Sequence, residues 1–354
     1  MLKRTFILLA FLFTGLIISP LSAQVISHDL VTAQSLSPDD QSLVQQFVNT
    51  HLDKISTGGA LDRRNSRRAL LVSLQDPDAS PAFRLAFSKA AIEKLKTLST
   101  SDKPHISTSA LMILGWVGTD MSTDAIIRDL NNDNNIVRYG AAKALRRTFL
   151  LVRKGSAVVP PASLWKAVRR LSSSLSRETD PYVVRSLVEA LLASDHKDAG
   201  VELCNSLAMR FDHAITPDNV KDETREFLLD AYLRAMLGLR NMLIQPDQAN
   251  PRLPKAAAHT GAHALVWCEC IHETAPGIAE EKLSPLAEAS EVLLLSAHLN
   301  YAHEQRPQRI AAIVKVKGWP GFKQALNDWV GADGQLYKSP YNFPRDIFTK
   351  NSCL

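Results

Sequence analysis

The sequence predicts an all-α protein, an α-solenoid of stacked antiparallel helix pairs with a C-terminal helical region and an irregular tail. Two observations support this. Apolar residues recur at helical spacing along most of the 354 residues, and one helical segment is repeated at a fixed offset. A fixed period of this kind predicts stacking, because one helix pair cannot bury its apolar stripe without a neighbour. The apolar fraction of 45% and the charged fraction of 22% are those of an ordinary folded protein.

The first 23 residues have the form of a secretory signal peptide. Lys3 and Arg4 precede an apolar run of about 13 residues, and a small-residue stretch ends at Ala23. An uncleaved membrane anchor is the alternative, but the run is shorter than the roughly 20 residues that a spanning helix needs. We therefore expect cleavage after Ala23, export to the periplasm or secretion, and no membrane span after cleavage.

The charge balance argues against nucleic acid as a partner. Lys and Arg number 41 against 36 Asp and Glu, which gives a net charge of +5. Loss of Lys3 and Arg4 with the signal peptide would leave 39 cations and a net charge of +3. So small an excess does not predict binding to a phosphate backbone. The local pair Arg146 and Arg147 is interpreted as a solvated helix face.

The repeat is clearest in the segment IVRYGAAKAL, residues 136–145, which follows an asparagine-rich turn. Aligning Val137 with Ile106, 31 residues earlier, also aligns Ala141 with Ala110, Ala144 with Ile113 and Leu145 with Leu114. A third copy, TDPYVVRSLVEALLAS, follows after a longer connection. The residues predicted to form the seam between stacked pairs are Val137, Arg138, Ala141, Ala144, Leu145, Val184 and Leu191. The asparagine-rich turn is predicted to separate stacked units and to cap the following helix.

Seven residues carry a resemblance to a known family: Asp133, Val137, Arg138, Ala141, Ala142, Ala144 and Leu145. With them the chain resembles, over about residues 75–195, HEAT repeats of the short type first named from phycobilisome lyases. This resemblance implies a protein-binding or scaffolding role. It does not imply lyase activity, because similarity between repeats indicates a fold and not a catalytic site.

The chain is predicted to divide into a repeat domain over 24–245, a C-terminal helical region over 255–330 and an irregular tail over 331–354. The break lies at QPDQANPRLP, whose prolines interrupt helices. Within the C-terminal region one helix is expected over about 307–329. His298 and Glu291 are interpreted as solvent-facing helix residues.

The segment HTGAHALVWCECIH, residues 259–272, contains the densest cluster of reactive side chains. On a continuous helix His259, His263 and Cys270 lie within about 40° of one another, whereas Cys268 and His272 point to the far side. A three-ligand zinc site made of His259, His263 and Cys270 is one interpretation. Buried cysteines with surface histidines are the alternative, which the long separation of Cys270 from His263 favours.

Cysteines in an exported protein can form disulfides, and the candidates are Cys204, Cys268, Cys270 and Cys353. Cys268 and Cys270 face nearly opposite directions on a helix, so we do not expect a bond between them. The remaining pairings join Cys204 and Cys353 separately to that pair, and a bridge from Cys353 would hold the tail against the helices. Free buried cysteines are the alternative.

Motif searches return no catalytic set. The sequence has no G-x-S-x-G, no H-E-x-x-H, no phosphate-binding glycine loop and no calcium loop. We therefore predict a non-enzymatic scaffold without a cofactor, which binds a protein or peptide on the concave surface of the solenoid in the periplasm or cell envelope. A zinc-dependent hydrolase with a site in residues 255–304 is the alternative.

Overall fold

The computed structural model describes residues 26–212, 222–245, 250–274 and 280–348. The predicted signal peptide, residues 1–23, and Cys353 lie outside these residues. Across the described ranges the chain forms fifteen α-helices, a short 3-10 helix over Gln335–Tyr337 and no strand beyond an isolated bridge between Thr119 and Val158. None of the described helices has the length and apolar character needed to cross a membrane.

The helices, in chain order, are α1 His28–Thr32, α2 Pro38–Thr57, α3 Ala60–Gln75, α4 Pro81–Ser99, α5 Pro104–Val117, α6 Asp120–Asp129, α7 Asn135–Arg153, α8 Pro161–Leu175, α9 Pro181–Ala193, α10 Ala199–Asp212, α11 Asp222–Ile244, α12 Leu253–Thr274, α13 Glu280–Ala302, α14 Ile310–Lys317 and α15 Trp319–Val330.

These helices stack in two layers. The odd-numbered helices α3 to α13 pack in succession against one another, and we call them the front layer. The even-numbered helices α2 to α12 form the back layer in the same way, and each packs against the front-layer helix that follows it in the chain. The predicted all-α solenoid of helix pairs is thereby confirmed.

Helix starts follow from capping chemistry. The Ser37 hydroxyl accepts from the Asp40 amide while the Asp40 carboxylate accepts from the Ser37 amide, which makes a complete capping box. In the asparagine-rich turn, Asn134 Oδ1 accepts a hydrogen bond of 2.9 Å from the amide of Ile136. This bond satisfies one of the free amides that every helix presents at its first turn, and it starts α7.

Small residues set the spacing of neighbouring front-layer helices. A Cβ added to Gly115 of α5 would lie 2.8 Å from the Cα of Ala144 in α7, and one added to Gly140 would lie 2.7 Å from Leu111 Cδ1. The Leu111 side chain could move aside, but the backbone of Ala144 could not, so Gly115 must be glycine and α5 and α7 approach almost backbone to backbone there. The apolar seam residues are all buried, namely Val137, Ala141, Ala144, Leu145, Val184 and Leu191.

Buried arginines connect neighbouring helices by binding the carboxyl ends of those helices. Arg84 in α4 is 1% exposed and donates to the carbonyl oxygens of Leu74 at the end of α3 and Trp116 at the end of α5, at 3.0 and 2.7 Å. Arg84 thereby joins the back layer to the front layer. Arg210 in α10 donates to the carbonyl of Leu175 at the end of α8, which joins two helices of the back layer. Each guanidinium satisfies carbonyls that have no partner within their own helix, and its charge complements the helix dipole.

The C-terminal region differs from the sequence interpretation in two places. The expected helix over 307–329 is instead two helices, α14 and α15, separated at Gly318, where φ is +62° and Pro320 follows. Glu291 and His298, expected to face solvent, are 2% and 0% exposed. Glu291 accepts from the amides of Arg309 and Ile310 and so caps α14, which explains why a carboxylate is buried there.

One hydrophobic core runs from Val31 to Phe348 through the described residues. Across the predicted boundary at 245–255 the stacking continues, since α10 packs on α12 and α11 on α13. Residues 331–348 fold over the end of the stack, where Leu336, Tyr341 and Phe348 are buried.

Candidate binding face on the front layer

Four consecutive front-layer helices, α5, α7, α9 and α11, each expose a stripe of side chains to solvent. We define the binding face as the stripes of four consecutive helices: Thr108, Met112 and Trp116 of α5, Tyr139, Lys143 and Arg147 of α7, Tyr182, Arg185 and Glu189 of α9, and Phe227, Asp230 and Arg234 of α11. All of them are exposed or half-buried, although most of the remaining α5 and α9 residues are buried. The face therefore carries at least one aromatic side chain on every helix.

A pocket of about 310 Å³ opens on this face between α5 and α7. Its walls include the apolar parts of Met112, Trp116 and Leu150, and its basic rim includes Lys143 and Arg147. The pocket has depth because Gly140 and Ala144 of α7 also line it and have almost no side chain. The same small residues that allow close helix packing thus leave a concavity on the solvent side.

Arg147 and Trp116 form the most closely stacked cation–π pair of the face. The guanidinium carbon lies 4.4 Å from the indole centroid, and a second contact of 5.5 Å joins Lys143 to the Tyr139 ring. Burial, together with the neighbouring charge of Arg146, lowers the pKa of Arg147 from its usual value. An arginine packed against an indole in this way has fewer accessible rotamers than one in open solvent.

The other half of the face is held by a ladder of ion pairs from α7 to α11. Glu189 lies 3.1 Å from Arg185 and 3.8 Å from Lys143, and Arg185 in turn lies 3.2 Å from Asp230. Asp230 also accepts from Arg234 at 2.9 Å, which raises the pKa of that arginine. Exposed pairs contribute little stability, but a connected series of them fixes where the side chains lie.

Two aromatic rings bridge α9 and α11 on the same face. The Tyr182 and Phe227 rings lie 4.6 Å apart, and both are exposed, at 51% and 37%. Two solvent-exposed rings that contact each other form an apolar patch, and such patches commonly mark a binding surface.

The histidine and cysteine cluster lies elsewhere, on α12. His259 and His263 meet through their Nε2 atoms at 3.0 Å, and the Phe348 ring packs on both of them. Burial lowers the pKa of His259 to about 4 and that of His263 to about 3. Cys270 is disulfide-bonded, so its sulfur is not available as the third zinc ligand that the sequence allowed.

Of the other cysteines, Cys204 and Cys268 form no disulfide, and Cys353 lies outside the described residues. Cys204 and Cys268 are free thiols and fully buried, which raises the pKa of Cys204 to about 12 and also raises that of Cys268. No group of three or more His, Cys, Asp and Glu among the described residues is placed to hold a metal ion. The geometry therefore gives no support to a zinc hydrolase in residues 255–304.

The sequence analysis did not predict the pocket, although the sequence contains a signal for it in the 31-residue repeat offset. Arg147 was interpreted as part of a solvated face, yet it lies 31 residues after Trp116, and Lys143 lies 31 residues after Met112. The repeat offset that aligned Ile106 with Val137 therefore also aligns the solvent stripes of α5 and α7. Two residues at equivalent positions of adjacent repeats are expected to be neighbours in a solenoid.

Comparison with known proteins assigns the chain to no family. No family model matches the sequence, and no curated protein matches it. Among solved structures, an engineered protein shares 15% identity with a TM-score of 0.32, covering 72% of this chain and 97% of that one. A designed armadillo repeat protein shares 13% with a TM-score of 0.30, covering 71% and 99%. Computationally designed armadillo repeat proteins for modular peptide recognition share 13% with a TM-score of 0.29, covering 70% and 99%.

Proposed function

We propose that this protein is a non-enzymatic scaffold that binds an extended segment of a partner protein across the binding face. The observation that carries the proposal is the row of exposed aromatic side chains on four consecutive front-layer helices, formed by Trp116, Tyr139, Tyr182 and Phe227. Tryptophan, tyrosine and arginine are the side chains that contribute most of the free energy of protein interfaces.

The spacing of the stripes fits an extended chain. Packed helices lie about 8–10 Å apart, whereas an extended polypeptide advances about 3.3 Å per residue. One front-layer helix therefore corresponds to about three residues of a partner laid across the layer. Four helices would contact a segment of roughly a dozen residues, which gives each aromatic side chain one position to recognise.

The face is ordered before binding. Its aromatic and charged side chains are held by the Trp116–Arg147 stack, the Tyr182–Phe227 contact and the Glu189–Arg185–Asp230 ladder. Side chains that are already fixed lose less conformational entropy when a partner binds, so more of the contact free energy appears as affinity.

The close contacts within the front layer support its being the concave side. Gly115 and Gly140 bring α5 against α7, and Gly238 brings α11 against Leu192 of α9. A layer whose helices approach more closely than those of its partner layer bends the stack toward itself, which makes the inner surface that repeat proteins use for binding.

Export to the periplasm or cell envelope is part of the proposal. The signal-like N-terminus motivates it, and the disulfide at Cys270 supports it, because disulfides persist in oxidising compartments. Fractionation of the native cell tests this part. Recovery of the full-length chain, with residues 1–23 attached, in the cytoplasm alone would exclude it.

Site-specific photo-cross-linking tests the binding face. A photoreactive phenylalanine analogue is introduced at Tyr182, and as a matched control at Leu85 of the back layer, which is equally exposed at 51%. We expect adducts with one partner protein from Tyr182 and not from Leu85, and we expect them to be lost when Phe227→Ala is added. Adducts of equal yield from both positions, or insensitive to Phe227→Ala, would refute binding on this face.

A further inference from the structure

The pocket between α5 and α7 carries positive charge without enough acid to balance it. Arg147 has no carboxylate within ion-pair distance in the part of the chain that the structure describes. Lys143 and Arg146 approach only Glu189, at 3.8 and 3.9 Å, and that carboxylate is already bonded to Arg185 at 3.1 Å. Three cations at the pocket therefore share one acid that belongs mainly to a fourth cation.

The geometry of Arg147 leaves its donors available. Its guanidinium carbon lies over the Trp116 ring, 4.4 Å from the ring centroid, so the indole covers one side of the group. The described residues accept no hydrogen bond from Arg147, so its N–H groups are available to bind a carboxylate, which a guanidinium can do with two parallel hydrogen bonds. Such a bond is strengthened beside an apolar wall, because water competes less for the charged group.

The apolar walls of the pocket determine what the ligand must contain in addition to a negative charge. Met112, Trp116 and Leu150 surround a space of about 310 Å³ above Gly140 and Ala144. This volume is at the lower end of the range for ligand pockets, which suits one side chain better than a larger molecule. A group that fills it must be apolar at its tip and lie next to a negative charge.

Resting on the function proposed above, we propose that this pocket recognises an acidic segment of the partner, with an aromatic or aliphatic side chain inserted between α5 and α7 and a neighbouring Asp or Glu bound to Arg147. Charge complementarity supports a peptide over a single-stranded nucleic acid. On the rest of the face Glu189 and Asp230 neutralise Arg185 and Arg234, so the unbalanced positive charge is confined to the pocket. A peptide can place its acids at the pocket alone, whereas a phosphate backbone carries charge along its whole length.

Fluorescence anisotropy with defined peptides tests the inference on the full chain. The probe is a fluorescein-labelled nonapeptide in which Glu and Phe alternate over the first five residues and Ser and Gly fill the other four. Its controls are the same peptide with Lys for Glu, the same peptide with Ser for Phe, and a labelled oligothymidylate. We expect the Glu and Phe peptide to bind at least about ten-fold more tightly than any control, as loss of a charge-assisted hydrogen bond would predict.

Two variants assign the effect to the pocket. Arg147→Gln should weaken binding of the Glu and Phe peptide about ten-fold or more, and Arg147→Lys should restore only part of it. The matched control is Arg169→Gln, because Arg169 also packs against a tryptophan, Trp165, at 6.0 Å but does so in the back layer. That variant should leave the affinity unchanged, and circular dichroism should show equal helix content in all three.

The outcomes separate this inference from the function on which it rests. If the Lys and Phe peptide binds as tightly as the acidic one, or no peptide binds, or Arg147→Gln behaves as Arg169→Gln does, the acidic pocket is refuted. The photo-cross-link at Tyr182 can still succeed in each of those cases, which would leave the scaffold function standing. Tightest binding of the oligothymidylate would refute the acidic pocket and favour nucleic acid as the ligand.

Discussion

Arg138 binds Glu178 with two parallel hydrogen bonds, Nε to Oε2 at 2.6 Å and Nη2 to Oε1 at 2.9 Å. Arg138 lies in the first turn of α7, and Glu178 lies in the connection between α8 and α9. The pair therefore joins two consecutive repeats. Arg138 Nη1 also donates to the carbonyl of Asn132 at 2.9 Å, and Glu178 accepts from the amide of Asp180. The hydrogen bond with Glu178 raises the pKa of Arg138. The arginine of the repeat motif is therefore a connector between repeats.

Removing one partner of this pair should destabilise the stack. Glu178→Gln leaves the Arg138 guanidinium, which is only 20% exposed, without its counter-charge. We expect a loss of about 3 kcal/mol in the free energy of unfolding, measured by urea denaturation. A double-mutant cycle with Arg138→Gln measures the coupling. Additive effects of the two substitutions would show that the pair does not act as a unit.

Arg84 should be essential for both stability and the geometry of the binding face. Arg84→Met leaves the buried carbonyls of Leu74 and Trp116 without a donor, and each lost hydrogen bond to a charged group costs about 1.5–3 kcal/mol. We expect a lower urea midpoint and, because the backbone of Trp116 is released, a changed tryptophan emission. Arg64→Met is the control, since Arg64 is exposed on α3. If the two variants were equally stable, Arg84 would have no such role.

Gly115 should tolerate no side chain. Alanine there would place its Cβ 2.8 Å from the Cα and 2.9 Å from the carbonyl oxygen of Ala144, and backbone atoms cannot move aside as a side chain can. We expect Gly115→Ala to cost about 1–3 kcal/mol in thermal or urea denaturation. Gly59→Ala is the comparison, because its Cβ would meet only Asp62 at 3.7 Å. A neutral Gly115→Ala would show that α5 and α7 can separate freely.

Acid should destabilise the protein through the α12 histidines. Their pKa values are lowered from 6.5 to about 4 for His259 and about 3 for His263, so between pH 6.5 and 4 the unfolded chain binds protons that the folded chain does not. The stabilisation from the neutral histidines is fully present above pH 6.5. It is lost as the pH falls toward the pKa values of these histidines in the folded protein.

The size of that effect is measurable by denaturation at pH 7 and pH 5. We expect a loss on the order of 2 kcal/mol for each histidine over this interval, since one pKa unit corresponds to about 1.4 kcal/mol. The double variant His259→Gln and His263→Gln should have a correspondingly smaller pH dependence. An unchanged slope in the double variant would assign the acid sensitivity to other groups, such as His298, whose pKa is also lowered by burial.

The repeat architecture was predictable because it is encoded locally. Helical spacing of apolar residues, caps such as Asn134 and small residues such as Ala141 and Ala144 act within a few turns, and their recurrence indicates stacking. The same locality explains two errors. Glu291 and His298 look solvent-facing within their own helix, but α14 and the tail segment, distant in sequence, cover them.

By itself the sequence determined which segments are helical and that consecutive pairs must bury each other's apolar stripes. Only the tertiary structure decided which side chains meet between repeats: Arg138 with Glu178, Trp116 with Arg147, and Tyr182 with Phe227. The physical reason is that helix formation depends on residues within one or two turns, whereas these contacts depend on how closely glycine and alanine allow two helices to pack. The small side chains of glycine and alanine let the helices pack closely and also leave the space that forms the pocket on the binding face.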